Sequence, residues 1–418
     1  MEYQIKNISP NNLEQCIKCT ICTVYCPVAA VKPEYPGPKQ AGPDGERYRL
    51  KNPDFFDKAL KYCLNCKRCE VSCPNNVRIG DIIQMARINY EKGAPKLRDR
   101  MLAETDFMGT MASAFAPVVN LTLGLKPVKF VLDKTMGIDG HRTFPTYSGK
   151  KFVSWFKKNA AAEQDKLPRR IAYFHGCYVN YNYPQLGIDF VHIMNACGIG
   201  VTLMEKEKCC GVAKVANRLI DRARKDATTN VAEMKEALAR GAEAIVGCSS
   251  SCIFTMRDEY PHLLGVDNNA VRDDIFTATA YLYHLIEKGE IKLAFRKDFS
   301  MNAAYHTPCH MQKLGWGVYS AGLMRMIPGL KLTTLEQTCC GMAGTYGFKK
   351  ENYPTSQAIG SELFGLIDES GADVVITDCE TCKWQIEMST GRTVLNPITV
   401  LAQALDFEET ARLNGVKK

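Results

Sequence analysis

No GxGxxG follows a strand-like run in this chain, no GxxxxGK[ST] occurs, and no nucleophile elbow is found. Nicotinamide and nucleotide chemistry therefore lack their phosphate-cradling loops, and hydrolysis lacks its exposed serine. The stretch "MEYQIKNISPNNLEQC" has no basic flank followed by an apolar run, so no secretory signal is expected. A membrane-spanning helix is not expected either. Residues 107–125, "FMGTMASAFAPVVNLTLGL", carry no charge but include Pro117, Asn120 and several Ser, Thr and Gly. Their Phe, Val and Leu residues return only about 0.3–0.6 kcal/mol each on an insertion scale.

What is abundant is cysteine. The 418 residues contain 19, an odd number, and they fall in short clusters instead of the scattered spacings of a disulfide-stapled secreted domain. A reducing compartment is expected, in which thiols stay available as ligands. The hydrophobic share of 46% supports real cores, and the length fits roughly two or three domains. The formal net charge of +8 would suit an anionic partner. Two four-iron clusters on four thiolates each would cancel about half of it, and no nucleic-acid partner is expected.

The strongest pattern is "CIKCTICTVYCP" at Cys16, Cys19, Cys22 and Cys26, repeated as "CLNCKRCEVSCP" at Cys63, Cys66, Cys69 and Cys73. Both read CxxCxxCxxxCP, the two-cluster ferredoxin run. Three close thiolates wrap three corners of a cubane, and the fourth, one helical turn on, serves the other cluster. One 4Fe-4S cluster is thus assigned to Cys16, Cys19, Cys22 and Cys73, the other to Cys63, Cys66, Cys69 and Cys26. Zinc sites show paired ligand spacings instead of this four-cysteine run. Between the blocks, "VKPEYPGPKQAGPDGERYRL" reads as a turn-rich, solvated insert, and "GDIIQMARINYEKG" as a short packing helix.

From about residue 168 strands and helices alternate, and near residue 300 the series restarts. Matched cysteines are offset by 132 (Cys177 to Cys309), 130 (Cys209 to Cys339) and 131 (Cys248 to Cys379), which is an internal duplication of an α/β unit with cysteines at strand ends. The second copy carries Cys309, the adjacent pair Cys339 and Cys340, then Cys379 and Cys382. A disulfide between neighbours is strained, whereas two adjacent thiolates can bind different irons, so an unusual iron-sulfur centre is inferred. The first copy keeps Cys177, Cys209 and Cys210 but ends in "CSSSC", Cys248 and Cys252, with Ser249 where the CxxC register puts a ligand. A hydroxyl is a far weaker iron ligand, which leaves open whether this copy holds a cluster. His175, His306 and His310 flank the leading cysteines, as proton relays or as hydrogen-bonded structural residues.

Residues 107–136 show Met108, Met111, Phe115 and Val119 at helical spacing, then Pro127 at a helix start and Gly137 at its end. This stripe suits either the protein's own core or an interfacial amphipathic hairpin. Lys126, Lys129, Lys134, Lys150, Lys151, Lys157 and Lys158 lie nearby, as an anionic surface favours.

Two ferredoxin blocks followed by two CCG copies resemble the iron-sulfur subunits related to heterodisulfide reductase and to glycolate and lactate oxidases. Within that group "YPGPKQAGPDGER", "CCGMAGTYGFKKENYPTSQAIG" and "TDCETCKWQIEMST" are similar to the iron-sulfur subunit family of anaerobic glycerol-3-phosphate dehydrogenases. The resemblance implies an electron-transfer subunit, not itself catalytic, in a flavin-dependent sn-glycerol-3-phosphate:quinone oxidoreductase. Its implied partners are an FAD-containing dehydrogenase subunit, a second flavoprotein-type subunit, menaquinone and the cytoplasmic membrane surface. The implied location is peripheral, on the cytoplasmic side of the inner membrane. It also implies a noncubane cluster on Cys309, Cys339, Cys340, Cys379 and Cys382. Alternatives are a catalytic subunit like that of heterodisulfide reductase, or an iron-sulfur subunit of a related hydroxy-acid oxidase. The expected fold is multidomain, α+β and α/β: a two-cluster ferredoxin-type unit (1–95), a membrane-facing amphipathic linker (96–165), CCG repeat 1 (166–295) and CCG repeat 2 (296–418).

Overall fold

The computed structural model describes residues 13–416. Two four-stranded sheets, parallel throughout, carry the duplicated part. The first contains β1 (Arg169–Phe174), β2 (Ile199–Leu203), β3 (Ile245–Gly247) and β4 (Ile275–Thr277) in the order β2-β1-β3-β4. The second contains β5 (Met301–Tyr305), β6 (Leu330–Thr334), β7 (Val374–Ile376) and β8 (Thr393–Leu395) in the order β6-β5-β7-β8. Their inner strands are short and almost wholly buried, as strands covered on both faces must be. In such a sheet the crevice beyond the carboxyl ends of the strands, where the order reverses, is where ligands bind. Every cysteine of the two CCG motifs follows a strand. The strand and helix alternation read from the sequence is present; β4 and β8, three residues each, escaped it because so short a run has no periodicity to detect.

The two repeats pack reciprocally. Helix Pro184–Ala196 of the first lies on Pro397–Ala404 of the second, while Ala278–Glu287 of the first lies on Gly317–Arg325 of the second. One apolar core joins them, including Phe190, Met194 and Leu282 with Leu323, Met324 and Leu401.

The ferredoxin-type segment has few apolar residues of its own, and it shares a core with repeat 1. Val28, Ile79, Ile82 and Ile83 join one cluster with Phe174, Met256, Tyr260 and Leu264. The insert between the cysteine blocks is more ordered than its proline and glycine content suggests. Gln40–Asp44 forms a π-turn that runs into helix Gly45–Lys51. Arg49 there is fully buried, donating to Glu46 (2.7 Å) and to the Ala41 carbonyl (2.9 Å), where a solvated loop was expected.

The uncharged stretch folds as two short helices, Thr105–Ala114 and Ala116–Gly124, bent by 104° at Phe115. Lys126–Val131 follows, with Pro127 in its first turn, and the segment ends at Gly137 in the left-handed region. Among the described residues no single helix is long and apolar enough to cross a membrane. Gly109 seats the first helix on the Tyr181 ring of repeat 1, leaving no room for a Cβ there. The opposite face packs on nothing: Phe107, Met111, Phe115, Val118, Leu121, Phe130 and Val131 are exposed, while Met108 and Val119 of the expected stripe are half-buried.

Candidate iron-sulfur sites

In both ferredoxin blocks the chain between cysteines adopts the same backbone. Lys18 and Thr20 in the first, and Asn65 and Lys67 in the second, have φ between 55° and 63°. For residues with a Cβ this left-handed geometry is costly. What it achieves is alternation of right- and left-handed residues, which turns successive N–H groups into one concavity, a nest for an anion. The Asn65 N–H and the Gln84 side-chain amide donate to Cys63 Sγ (3.4 and 3.6 Å), and the Val77 N–H donates to Cys73 Sγ (3.4 Å).

The fourth cysteines cross over. Cys22 has Cys16, Cys73 and Cys19 as its charged neighbours, and burial raises its pKa. Burial pushes Cys26 up to about 12, with Cys66 and Cys63 beside it, and Cys69 faces Cys66, Cys63 and Cys26. The structure therefore gathers the two sets that the spacing assigned. Left unshielded by metal, thiolates packed this closely would repel, which is why burial and mutual charge push most of them toward the protonated form.

Repeat 2 brings Cys309, Cys339, Cys340, Cys379 and Cys382 together. Cys309 touches Cys339, Cys340 Sγ lies 3.3 Å from Cys382 Sγ, and Cys379 contacts Cys382, whose hydrogen bond holds Cys379 down at about 6. The Gly341 N–H donates to Cys339 Sγ (3.4 Å). The glycine of CCG is obligatory here: its φ is +81°, and a Cβ would stand 2.0 Å from the Ser356 carbonyl oxygen.

Repeat 1 gathers four thiols. Cys177 touches Cys209, Cys209 touches Cys210, and Cys210 touches Cys252. Cys248 is not among them. Its Sγ lies 3.4 Å from the Tyr173 hydroxyl, and its charged neighbours are Asp189 and Asp378. Strand register explains this and corrects the offset read from the sequence. Tyr173 pairs with Val246, and Tyr305 with Ile376, so β1 maps to β5 at 305 − 173 = 132 but β3 maps to β7 at 376 − 246 = 130. Cys248 is thus the counterpart of Asp378, not of Cys379. The parallel extends to chemistry, because the Tyr305 hydroxyl donates to Asp378 (2.7 Å) as Tyr173 contacts Cys248. Ser249 and Cys379 both N-cap the helix that follows, and Cys252 matches Cys382. The Ser249 hydroxyl accepts from the Cys252 N–H and donates to Glu380 (2.8 Å).

The sets are linked. Cys66 of the second ferredoxin set is in hydrogen-bond contact with Cys309 of repeat 2. Around that contact Arg68 donates to the Gln337 carbonyl (2.7 Å), Lys313 pairs with Glu70 (2.9 Å), and His310 Nε2 meets the Asn65 carbonyl (3.2 Å). On the far side of repeat 2 the Ser251 hydroxyl lies 3.7 Å from Cys379 Sγ, one residue before Cys252 of repeat 1. A crevice between the repeats is lined by Cys177, Cys252, Cys379 and Glu380, the last pushed up to about 8 by burial beside Cys379.

The histidines read as neutral. Burial pushes His175, His306 and His310 down to about 4. His175 is held by the Gly176 carbonyl and Glu207, and His310 stacks on Phe254. Both ring nitrogens of His306, the Tyr35 hydroxyl and the Thr338 hydroxyl are buried without a protein partner, and all three lie against the cysteine sets. Stranded buried donors of this kind are costly and point to acceptors supplied by a bound group. Among the described residues no three His, Cys, Asp or Glu side chains converge on one point as a single ion requires. Soft thiolates spread over loops, with backbone N–H groups aimed at sulfur, fit the faces of iron-sulfur clusters.

A family model for a 4Fe-4S dicluster domain matches residues 12–77, and one for a cysteine-rich domain matches 171–257 and again 303–387. The iron-sulfur subunit of the anaerobic glycerol-3-phosphate dehydrogenase of Escherichia coli K12 is 55% identical over 398 residues, covering 95% of this chain and all of that protein. More distant relatives include the glycolate oxidase iron-sulfur subunit of the same organism (25% identical; 95% of each chain covered). One subunit of a CoM/CoB fumarate reductase from Methanothermobacter marburgensis is also 25% identical, over 93% of this chain and 70% of that protein.

Proposed function

This chain belongs to the iron-sulfur subunit family of anaerobic glycerol-3-phosphate dehydrogenases, and from that premise we propose that it carries electrons from an FAD-containing partner subunit to menaquinone and performs no substrate chemistry itself. It is the iron-sulfur subunit of an enzyme complex, and partner subunits follow from that. Clusters bound to the thiolates supply one-electron exchange. The chain's own residues hold the sulfur sets in sequence, exclude water from them and donate N–H groups to sulfur.

The observation that carries this reading is the contact between Cys66 and Cys309. Only thiols serving successive redox centres have reason to meet across two domains, and the Ser251 to Cys379 approach continues the series toward repeat 1. We assign two 4Fe-4S clusters to the ferredoxin sets named above and a noncubane centre to the five cysteines of repeat 2. The apolar face over 105–131, with Lys126, Lys134 and Lys150 exposed beside it, supports peripheral attachment to the cytoplasmic side of the inner membrane.

The test is Cys379→Ser in the assembled complex. One paramagnetic signal should vanish and quinone reduction should slow, while glycerol 3-phosphate still reduces the partner flavin; undiminished quinone reduction would count against the carrier role. The crevice between the repeats favours a second reading, reductive cleavage of a disulfide substrate. Turnover of candidate disulfides by the isolated chain with a reduced dye would select it.

A further inference from the structure

The first repeat has lost the CxxC that closes the second. In spite of that loss, we infer that repeat 1 holds its own iron-sulfur cluster through Cys177, Cys209, Cys210 and Cys252, with Cys248 outside the ligand set. This inference rests on the electron-carrier reading and extends it.

Three observations carry it. The four thiols form an unbroken chain of contacts at the carboxyl ends of β1, β2 and β3, as their counterparts do in repeat 2. Register puts Cys252 in the place of Cys382, so the apparent displacement of the last cysteine is an artefact of counting from Cys248. Only one of the five positions has changed, Ser249 for Cys379, and the Ser249 hydroxyl is engaged by the helix end and Glu380.

The backbone retains the same device as well. Gly211 takes φ +92° directly after the paired cysteines, as Gly341 does in repeat 2. Lys214, nearly buried, stands as a cation near Cys209, and carboxylates of Glu104 and Asp226 hold it in place. A buried set of four thiolates needs such compensation. Four thiolates satisfy one four-iron cluster; the second repeat's fifth is what makes it unusual.

The site also lies at a telling place. Asp106, in the first turn of the bent apolar helices, accepts a hydrogen bond from the Cys209 N–H (2.8 Å). Repeat 1 is therefore directly beneath the exposed apolar face, and a cluster there would be the carrier nearest to it.

Iron and acid-labile sulfide should be counted on the anaerobically purified full chain, with electron paramagnetic resonance of the reduced protein. The double variant Cys209→Ala/Cys252→Ala should lose about four irons and one signal, with the ferredoxin and repeat 2 signals intact. Cys248→Ser should lose none. Ser249→Cys should keep the iron count but move one signal toward the pattern of the repeat 2 centre. The inference is overturned if the double variant keeps the parent iron count, or if Cys248→Ser loses as much iron as it does. An unaltered spectrum in Ser249→Cys would overturn it too, a result that stands even if the double variant folds poorly. Failure here would leave the Cys379→Ser outcome untouched, so the two readings fail separately.

Discussion

A single atom added at Gly341 would collide with a carbonyl. Its φ of +81° is available to glycine at no cost, and the Ser356 oxygen occupies the space of any Cβ. Gly341→Ala should therefore destabilise the chain by at least about 1–3 kcal/mol through backbone strain alone. It should also misplace the Gly341 N–H that reaches Cys339. Thermal unfolding of the purified protein and loss of one paramagnetic signal would report the two effects. At Gly211, where the nearest side-chain atom to a Cβ is 3.6 Å away, only the φ penalty applies, and the same substitution should cost less. Four non-glycine residues, Lys18, Thr20, Asn65 and Lys67, tolerate the left-handed region in the ferredoxin loops. Their positions recur identically in the two blocks, which argues that the strain is retained for the nest it creates.

At the scale of elements, the helices over 105–131 expose what soluble helices usually bury. Their bend at Phe115, with Pro117 in the first turn of the second helix, prevents a straight span and turns both apolar faces outward together. Asn120 secures this arrangement by exchanging two 2.8 Å hydrogen bonds with the Tyr147 backbone. If this face enters a lipid interface, Phe107→Asp and Leu121→Asp should each weaken sedimentation with anionic vesicles at high salt by about tenfold or more, because burying such a side chain is worth about 1.5–3 kcal/mol. Both positions are exposed, so the melting temperature should hardly move. Equal vesicle binding by the double variant would rule the face out.

Across the whole molecule, the ferredoxin segment is fastened to repeat 1 by buried charge. Lys67 is fully buried among Asp81, Glu70 and Glu259, and Arg78 donates to Asp258 through two 3.1 Å bonds. Burial by itself would push Lys67 toward neutrality; the three carboxylates override it and hold its pKa above the usual lysine range. Lys67→Met would leave those carboxylates buried and uncompensated, at a cost of about 3–5 kcal/mol. The expected outcome is a lower denaturant midpoint together with earlier loss of ferredoxin signals than of the repeat 2 signal. Simultaneous loss of all signals with no change in midpoint would contradict it.

How far the sequence reached depends on how local each feature is. The ferredoxin sets, the α/β duplication and the five cysteines of repeat 2 were legible because ligands three residues apart are brought together by one turn of backbone. Two things were misread from spacing. The insert around Arg49 looked solvated because turn-forming residues dominate its composition, although burial of one arginine decides its packing. Cys248 looked like a ligand because counting along the chain cannot see that β3 and β7 are offset by 130 while β1 and β5 are offset by 132.

The sequence by itself determined which atoms bind and in which groups, since thiolate chemistry and short-range chain geometry leave few alternatives. Only the tertiary structure decided which groups are neighbours: that Cys66 meets Cys309, that Cys248 turns to Tyr173, and that repeat 1 lies beneath the apolar helices. Those contacts join segments far apart in the chain, and their free energy comes from packing two sheets and a borrowed core together, a quantity no local run of residues encodes.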